Sequence, residues 1–175
     1  MSEYTVGDLD AKDAQQLGRV HYEVWRATYS DSLSPEALDE LDPGRFADRW
    51  LTLASRRDRD GALPGGQVTR IGFHGGTAVG FVTVGPARDL GAPIDWQLWA
   101  LNVLPAHHGS GLAQLLIADA LGDRDAYLEV AQGNDRAIAF YTRQGFVLDG
   151  HRTERDDGMT ELRMVRRGES GQGRT

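Results

Sequence analysis

The 175-residue sequence contains no cysteine, which removes disulfide scaffolds, cysteine-ligated zinc sites and thiolate nucleophiles together. Any covalent intermediate would need another residue. No stretch approaches the roughly 18 consecutive apolar residues of a membrane-spanning helix. The opening MSEYTVGDLD is acidic where a signal peptide would be basic and then apolar. A cytoplasmic chain without a membrane partner is the expectation. Basic residues are outnumbered, 19 against 26 acids, which gives a formal charge of -7 and disfavours a nucleic-acid partner. Lysine occurs once, at Lys12, a bias that reads as composition rather than as a site.

Apolar residues make up 40% of the chain and aromatics 8%, enough for one buried core. Glycine is abundant, 22 residues, so its positions carry information. After an apolar lead at residues 4–6, Asp8 and Asp10 are placed to cap a helix. Its apolar positions Leu17, Val20, Val24, Trp25 and Thr28 recur at three- and four-residue steps. Ser34-Pro35 and Asp42-Pro43 each open a further helix, the second with Phe46, Trp50 and Leu53 on one face. Residues 68–73 and 78–84 read as antiparallel strands across the glycine pair Gly75-Gly76.

A third strand-like run, residues 94–104, stops at Pro105. Beyond it the order is glycine turn, helix over about 112–121, strand over 126–131, helix over about 135–144, then two strands around Asp156-Asp157-Gly158. That alternation predicts an α/β fold. It places one domain over residues 1–166 and a disordered, glycine-rich tail over 167–175.

The stretch AHHGSGLA, residues 106–113, lies between a strand and a helix bearing Leu115, Leu116 and Ile117. Small residues at Gly109, Gly111 and Ala113 would let main chain approach an anion, held by the free N–H groups and positive dipole end of a helix start. The alternative is a turn that needs glycine only for its geometry. The Gly-Lys-Ser/Thr ending of a P-loop is missing, as are the third glycine and ribose-reading acid of a dinucleotide site. His107 and His108 are adjacent rather than four apart, so no metal site is expected.

Taken with WALNVLP at 99–105, YLEV at 127–130 and NDRAIAFYTRQGF at 134–146, this stretch resembles the GNAT superfamily of acyl-CoA-dependent N-acetyltransferases. Both signature segments of that family occur, in order. The run from Val20-His21 to Thr28-Tyr29 is similar to the first helix of a bacterial subgroup. The resemblance implies the GNAT fold, a mixed and mostly antiparallel sheet of about six or seven strands flanked by about four or five helices. It implies acetyl-CoA as cosubstrate and no metal.

By the same resemblance, the CoA pyrophosphate would lie over the amides of Gly109, Ser110, Gly111, Leu112 and Ala113, and the pantetheine arm would pair with Leu101, Asn102 and Val103. Asn134 would cap its helix and also bond the pantetheine arm. Arg143 would reach a CoA phosphate or stand as a solvated charge. His108 occupies a position where the family usually has glutamine or arginine. A neutral imidazole still donates one hydrogen bond and a protonated one adds a charge, so CoA affinity is expected to tighten at mildly acidic pH.

Tyr141 stands where the family places its proton donor. With a reference pKa of about 10 against about 8.5 for a thiol, it is protonated at neutral pH, and a thiolate could accept its proton. The bland alternative is packing beside Phe140. Glu129 is the leading base, as in relatives resembling ribosomal-protein acetyltransferases, with Asp95, His21, Glu23 or a water wire as alternatives. Trp25, Tyr29 and Asp95 would border the acceptor. The implied reaction is direct transfer from acetyl-CoA to a primary amine of a small molecule in a ternary complex. The alternatives are a protein N-terminal or lysine acetyltransferase and a non-catalytic CoA- or drug-binding module. Homodimers are common among similar proteins.

Overall fold

The computed structural model describes residues 3–29, 41–155 and 158–168. Among these, strands β1 (Tyr4–Asp8), β2 (Val68–His74), β3 (Thr77–Pro86), β4 (Trp96–Val103), β5 (Ala126–Ala131), β6 (Val147–Glu154) and β7 (Thr160–Arg166) form one seven-stranded sheet in the order β1-β2-β3-β4-β5-β7-β6. Helices α1 (Ala14–Tyr29) and α2 (Pro43–Ser55) both lie between β1 and β2 in the chain, α3 (Leu112–Leu121) between β4 and β5, and α4 (Asp135–Arg143) between β5 and β6. The pairs β1/β2, β5/β7 and β6/β7 are antiparallel, whereas β4/β5 is parallel, so the expected mixed sheet is found. The helix expected from Ser34-Pro35, the turn residues Asp156 and Asp157, and residues 169–175 of the expected tail lie outside the described residues.

The chain divides into two compact units, Met1–Thr83 with Ala100–Ala120, and Val84–Trp99 with Leu121–Thr175. In the first, Asp8 belongs to β1 and only Asp10 caps, its carboxylate accepting from Lys12 N–H at 3.0 Å to start a short 3-10 turn ahead of α1. Asp42 caps α2 through Gly44 N–H at 2.8 Å, with Pro43 at the first helical position. Leu17 and Val20 of α1 are fully buried, and Phe46 and Trp50 form the covered face of α2.

The two helices approach so closely at Gly18 that a Cβ there would sit 2.7 Å from Ala47 N and Pro43 O. Gly75 and Gly76 turn β2 into β3 with φ of +55° and +79°, the left-handed pair of a two-residue hairpin. β3 is buried without interruption from residue 78 to 85, which explains its near-continuous apolar run.

In the second unit β4 meets β5 at Gln97 and Tyr127, and Tyr127 is fully buried. The β6/β7 register shifts between Leu148 and Arg152. Gly150, with φ of +88°, lies in that irregularity.

Candidate active site

In the first unit, Leu104 N–H donates to Val79 O at 2.9 Å, and Pro105 then starts a short 3-10 turn, Pro105–His107. Tyr4 Oη and His107 Nδ1 are hydrogen-bonded at 2.9 Å, which ties this turn to β1. Nothing in the spacing of the sequence announces that tether, because its partners are more than a hundred residues apart. His108 Nε2–H donates to Val103 O at 2.8 Å, so one of the nitrogens expected to face phosphate is committed to the end of β4.

Gly109 and Gly111 have φ of +76° and +90°, the left-handed region that excludes most side chains. A Cβ at either would meet nothing within 4 Å. Glycine is therefore required here by backbone conformation, while the protein leaves the adjacent space open. Ser110 Oγ donates to His107 O at 2.7 Å and accepts from Leu112 N–H at 3.3 Å. Ser110 N–H itself donates to His107 O at 3.4 Å, and the first helical bond runs from Leu115 N–H to Gly111 O at 3.1 Å. Two of the five expected amides, those of Ser110 and Leu112, are thus occupied within the turn. Among the described residues, the N–H groups of Gly109, Gly111, Ala113 and Gln114 have no protein acceptor. Gln114 was missed by sequence reading, since its availability depends only on where the helix begins.

The expected pantetheine partners Leu101 and Asn102 are half-buried and Val103 is buried at the end of β4. On α1, Trp25 is 37% exposed at the rim of an aromatic cluster with His21 and Phe46, each ring centroid 6.0 Å away. The side chain of Tyr29 lies outside the described residues. His21 packs 4.4 Å from Phe46 and 5.3 Å from Phe81, and burial, helped by the Arg49 charge, pushes its pKa down to about 4. A base that weak is unprotonated but ineffective at neutral pH. Glu23, the other alternative, pairs with Arg19 at 3.8 Å on the surface.

In the second unit Tyr141 lies on α4, its ring 5.3 Å from Phe140 and 5.8 Å from the buried Phe146. Its hydroxyl has no hydrogen-bond partner among the described residues, and burial pushes its pKa up to about 12. The phenol is consequently protonated throughout the physiological range. Full proton transfer to a thiolate of reference pKa about 8.5 would run uphill, so this hydroxyl is suited to donating a hydrogen bond to developing charge.

Glu129 on β5 is half-buried, with Thr153 Oγ1 donating to it at 3.4 Å. Burial, followed by the charges of Asp89 and Glu161, raises its pKa above the usual carboxylate range. Its cross-strand neighbour Arg163 is turned to Asp149, with Nε 2.7 Å from the carboxylate. No hydrogen bond joins Glu129 to Tyr141 among the described residues. Asn134 caps α4, its Oδ1 accepting from Ala137 N–H at 3.1 Å, as expected. Arg143 ends α4 as an exposed side chain. Asp95 is exposed, and its carbonyl accepts from Ala87 N–H at 2.9 Å. An open cleft of about 730 Å³ in the first unit, lined by Asp10, Lys12, Asp13 and Arg57 among others, contains none of the expected site residues.

A mixed sheet whose fourth strand feeds a glycine turn at the start of a helix defines an α/β protein. The chain belongs to the acetyltransferase (GNAT) family, whose model matches residues 22–146. It is 36% identical to Rv2669 of Mycobacterium tuberculosis, an uncharacterized N-acetyltransferase, over 82% of this chain and 88% of that one. It is 26% identical to YuaI of Bacillus subtilis, also an uncharacterized N-acetyltransferase, over 65% of this chain, and spans only 60% of that relative's length. Among solved structures, the fold is similar to that of the PaiA N-acetyltransferase from Thermoplasma acidophilum in complex with coenzyme A. The TM-score is 0.68 at 19% identity, covering 94% of this chain and 98% of that one.

Proposed function

We propose that this chain transfers an acetyl group from acetyl-CoA directly to a primary amine of a small molecule in a ternary complex. The observation that carries this reading is the set of unpartnered N–H groups of Gly109, Gly111, Ala113 and Gln114. They fit a pyrophosphate, which offers several acceptor oxygens to main-chain donors at the positive end of α3. Leu101, Asn102 and Val103 pair with the pantetheine arm, aided by Asn134, and Arg143 meets a phosphate. His108 supports the cradle through Val103.

Tyr141 Oη donates a hydrogen bond to the sulfur as the carbon–sulfur bond breaks, which stabilises the thiolate that leaves. Glu129 takes the proton that the substrate ammonium loses to become the neutral amine that attacks the thioester carbonyl, a role to which its raised proton affinity is suited. The absence of cysteine supports direct attack over an acyl-enzyme. Trp25, Tyr29 and Asp95 border the acceptor, and the exposed face of Trp25 offers a flat apolar wall to a compact amine.

The test is calorimetry with acetyl-CoA, then thiol release across panels of small amines and of peptides with free N-termini or lysines. Intersecting initial-velocity lines with small amines support the reading. Preference for peptides would move it to protein acetylation, and CoA binding without thiol release to a binding module.

A further inference from the structure

The loop between β3 and β4 contains an acid that the proposed reaction does not use. Asp89 accepts a hydrogen bond from Tyr127 Oη at 2.6 Å, and Tyr127 is fully buried on β5, two residues before Glu129. Side chains two apart on a strand share a face, so the tether holds a carboxylate on the side of the sheet where Glu129 stands. The loop is fixed from other directions as well. Arg88 N–H donates to Gln97 Oε1 at 3.2 Å, and the Arg88 guanidinium lies 3.5 Å from the centroid of the Trp99 ring. The cation nearest Asp89 in sequence is therefore engaged with an aromatic face.

We propose that Asp89, held in place by Tyr127, is a positioning residue that sets the proton affinity of Glu129. This rests on the reading of Glu129 as the base. The other groups facing Glu129 are accounted for. From β7 come Glu161, which Arg155 pairs at 3.0 Å, and Arg163, which Asp149 of β6 holds at 2.7 Å. From β6 come Thr153, which donates to Glu129, and His151, whose charge opposes that of Asp89. With Arg155 and Arg163 engaged by other carboxylates, the charge of Asp89, itself exposed, acts on the half-buried Glu129 with no ion-paired cation of its own among the described residues. The partial burial of Glu129 leaves that repulsion only partly screened by solvent. A carboxylate made harder to ionise in this way is a stronger proton acceptor when it does ionise.

Two substitutions separate charge from tether. Asp89→Asn keeps an oxygen for Tyr127 and removes the charge. Tyr127→Phe keeps the charge and removes the tether. The measurement is the NMR-detected titration of the Glu129 carboxyl in the full chain, paired with the pH profile of thiol release from acetyl-CoA in the amine panel. Expected for Asp89→Asn is a downward shift of the Glu129 titration by about half a pH unit or more, with the acid limb of the profile moving the same way. Tyr127→Phe should shift it in the same direction by less. A Glu129 titration unmoved in Asp89→Asn, with activity merely reduced, overturns the proposal and leaves Asp89 a loop fastener. If Glu129→Gln keeps wild-type turnover, the base reading fails instead, and the Glu129 titration in Asp89→Asn still decides whether Asp89 governs it.

Discussion

A single hydroxyl separates the chemistry proposed for Tyr141 from simple packing. Tyr141→Phe keeps the ring against Phe140 and Phe146 and deletes only the donor, which has no other partner among the described residues. Turnover is expected to fall by about 10²-fold, within the usual range for a proton or hydrogen-bond donor to a leaving group. The calorimetric affinity for CoA should stay unchanged. Equal turnover in the two proteins would assign the residue to packing.

At the same scale His21 predicts a pH effect on stability. Its folded pKa, about 4, lies below the ordinary 6.5, so the unfolded chain takes up the proton more readily. Its contribution is present above about pH 6.5 and is lost as pH falls toward 4. Urea midpoints measured across that window should decline, and the decline should be shallower in His21→Phe. Parallel declines would show that carboxylates alone cause it.

Among the elements, α1 and α2 pack closely at Gly18. Gly18→Ala would place a methyl 2.7 Å from main-chain atoms of α2, which cannot yield as a flexible side chain can. The expected cost is about 1–3 kcal/mol, read as a lower urea midpoint with an unchanged denaturant slope. At the start of α3 the relevant property is main-chain conformation. Gly111→Ala forces a side chain into φ of +90° and should weaken acetyl-CoA binding in calorimetry while leaving helix content by circular dichroism in place. Unchanged affinity would place the ligand elsewhere.

For the whole molecule, a ligand that binds only the folded chain stabilises it by mass action. Acetyl-CoA at 100 times its Kd should add about 2.7 kcal/mol to unfolding, visible as a raised Tm, with no comparable effect from ATP or NAD. An equal shift with ATP would point to a general phosphate site.

The alternation of strand and helix, the capping acids Asp10 and Asp42, the Gly75-Gly76 turn and the Asn134 cap were all legible in the sequence, because each depends on residues close together in the chain. So was the family, which rests on contiguous motifs around Gly109 and Tyr141. Other features depend on the backbone conformation of a turn or on segments brought together by folding. Sequence spacing could not show that Ser110 and Leu112 spend their amides inside the turn while Gln114 frees its own. It could not show that Tyr4 anchors His107, that His108 turns to Val103, or that Asp89 meets Tyr127. Burial that makes His21 a poor base and raises Tyr141 and Glu129 is likewise a property of packed neighbours. Local pattern determined which groups are available to this protein, and tertiary contacts decided which remain free to act, because hydrogen-bond partners and desolvation are set by distance in space rather than along the chain.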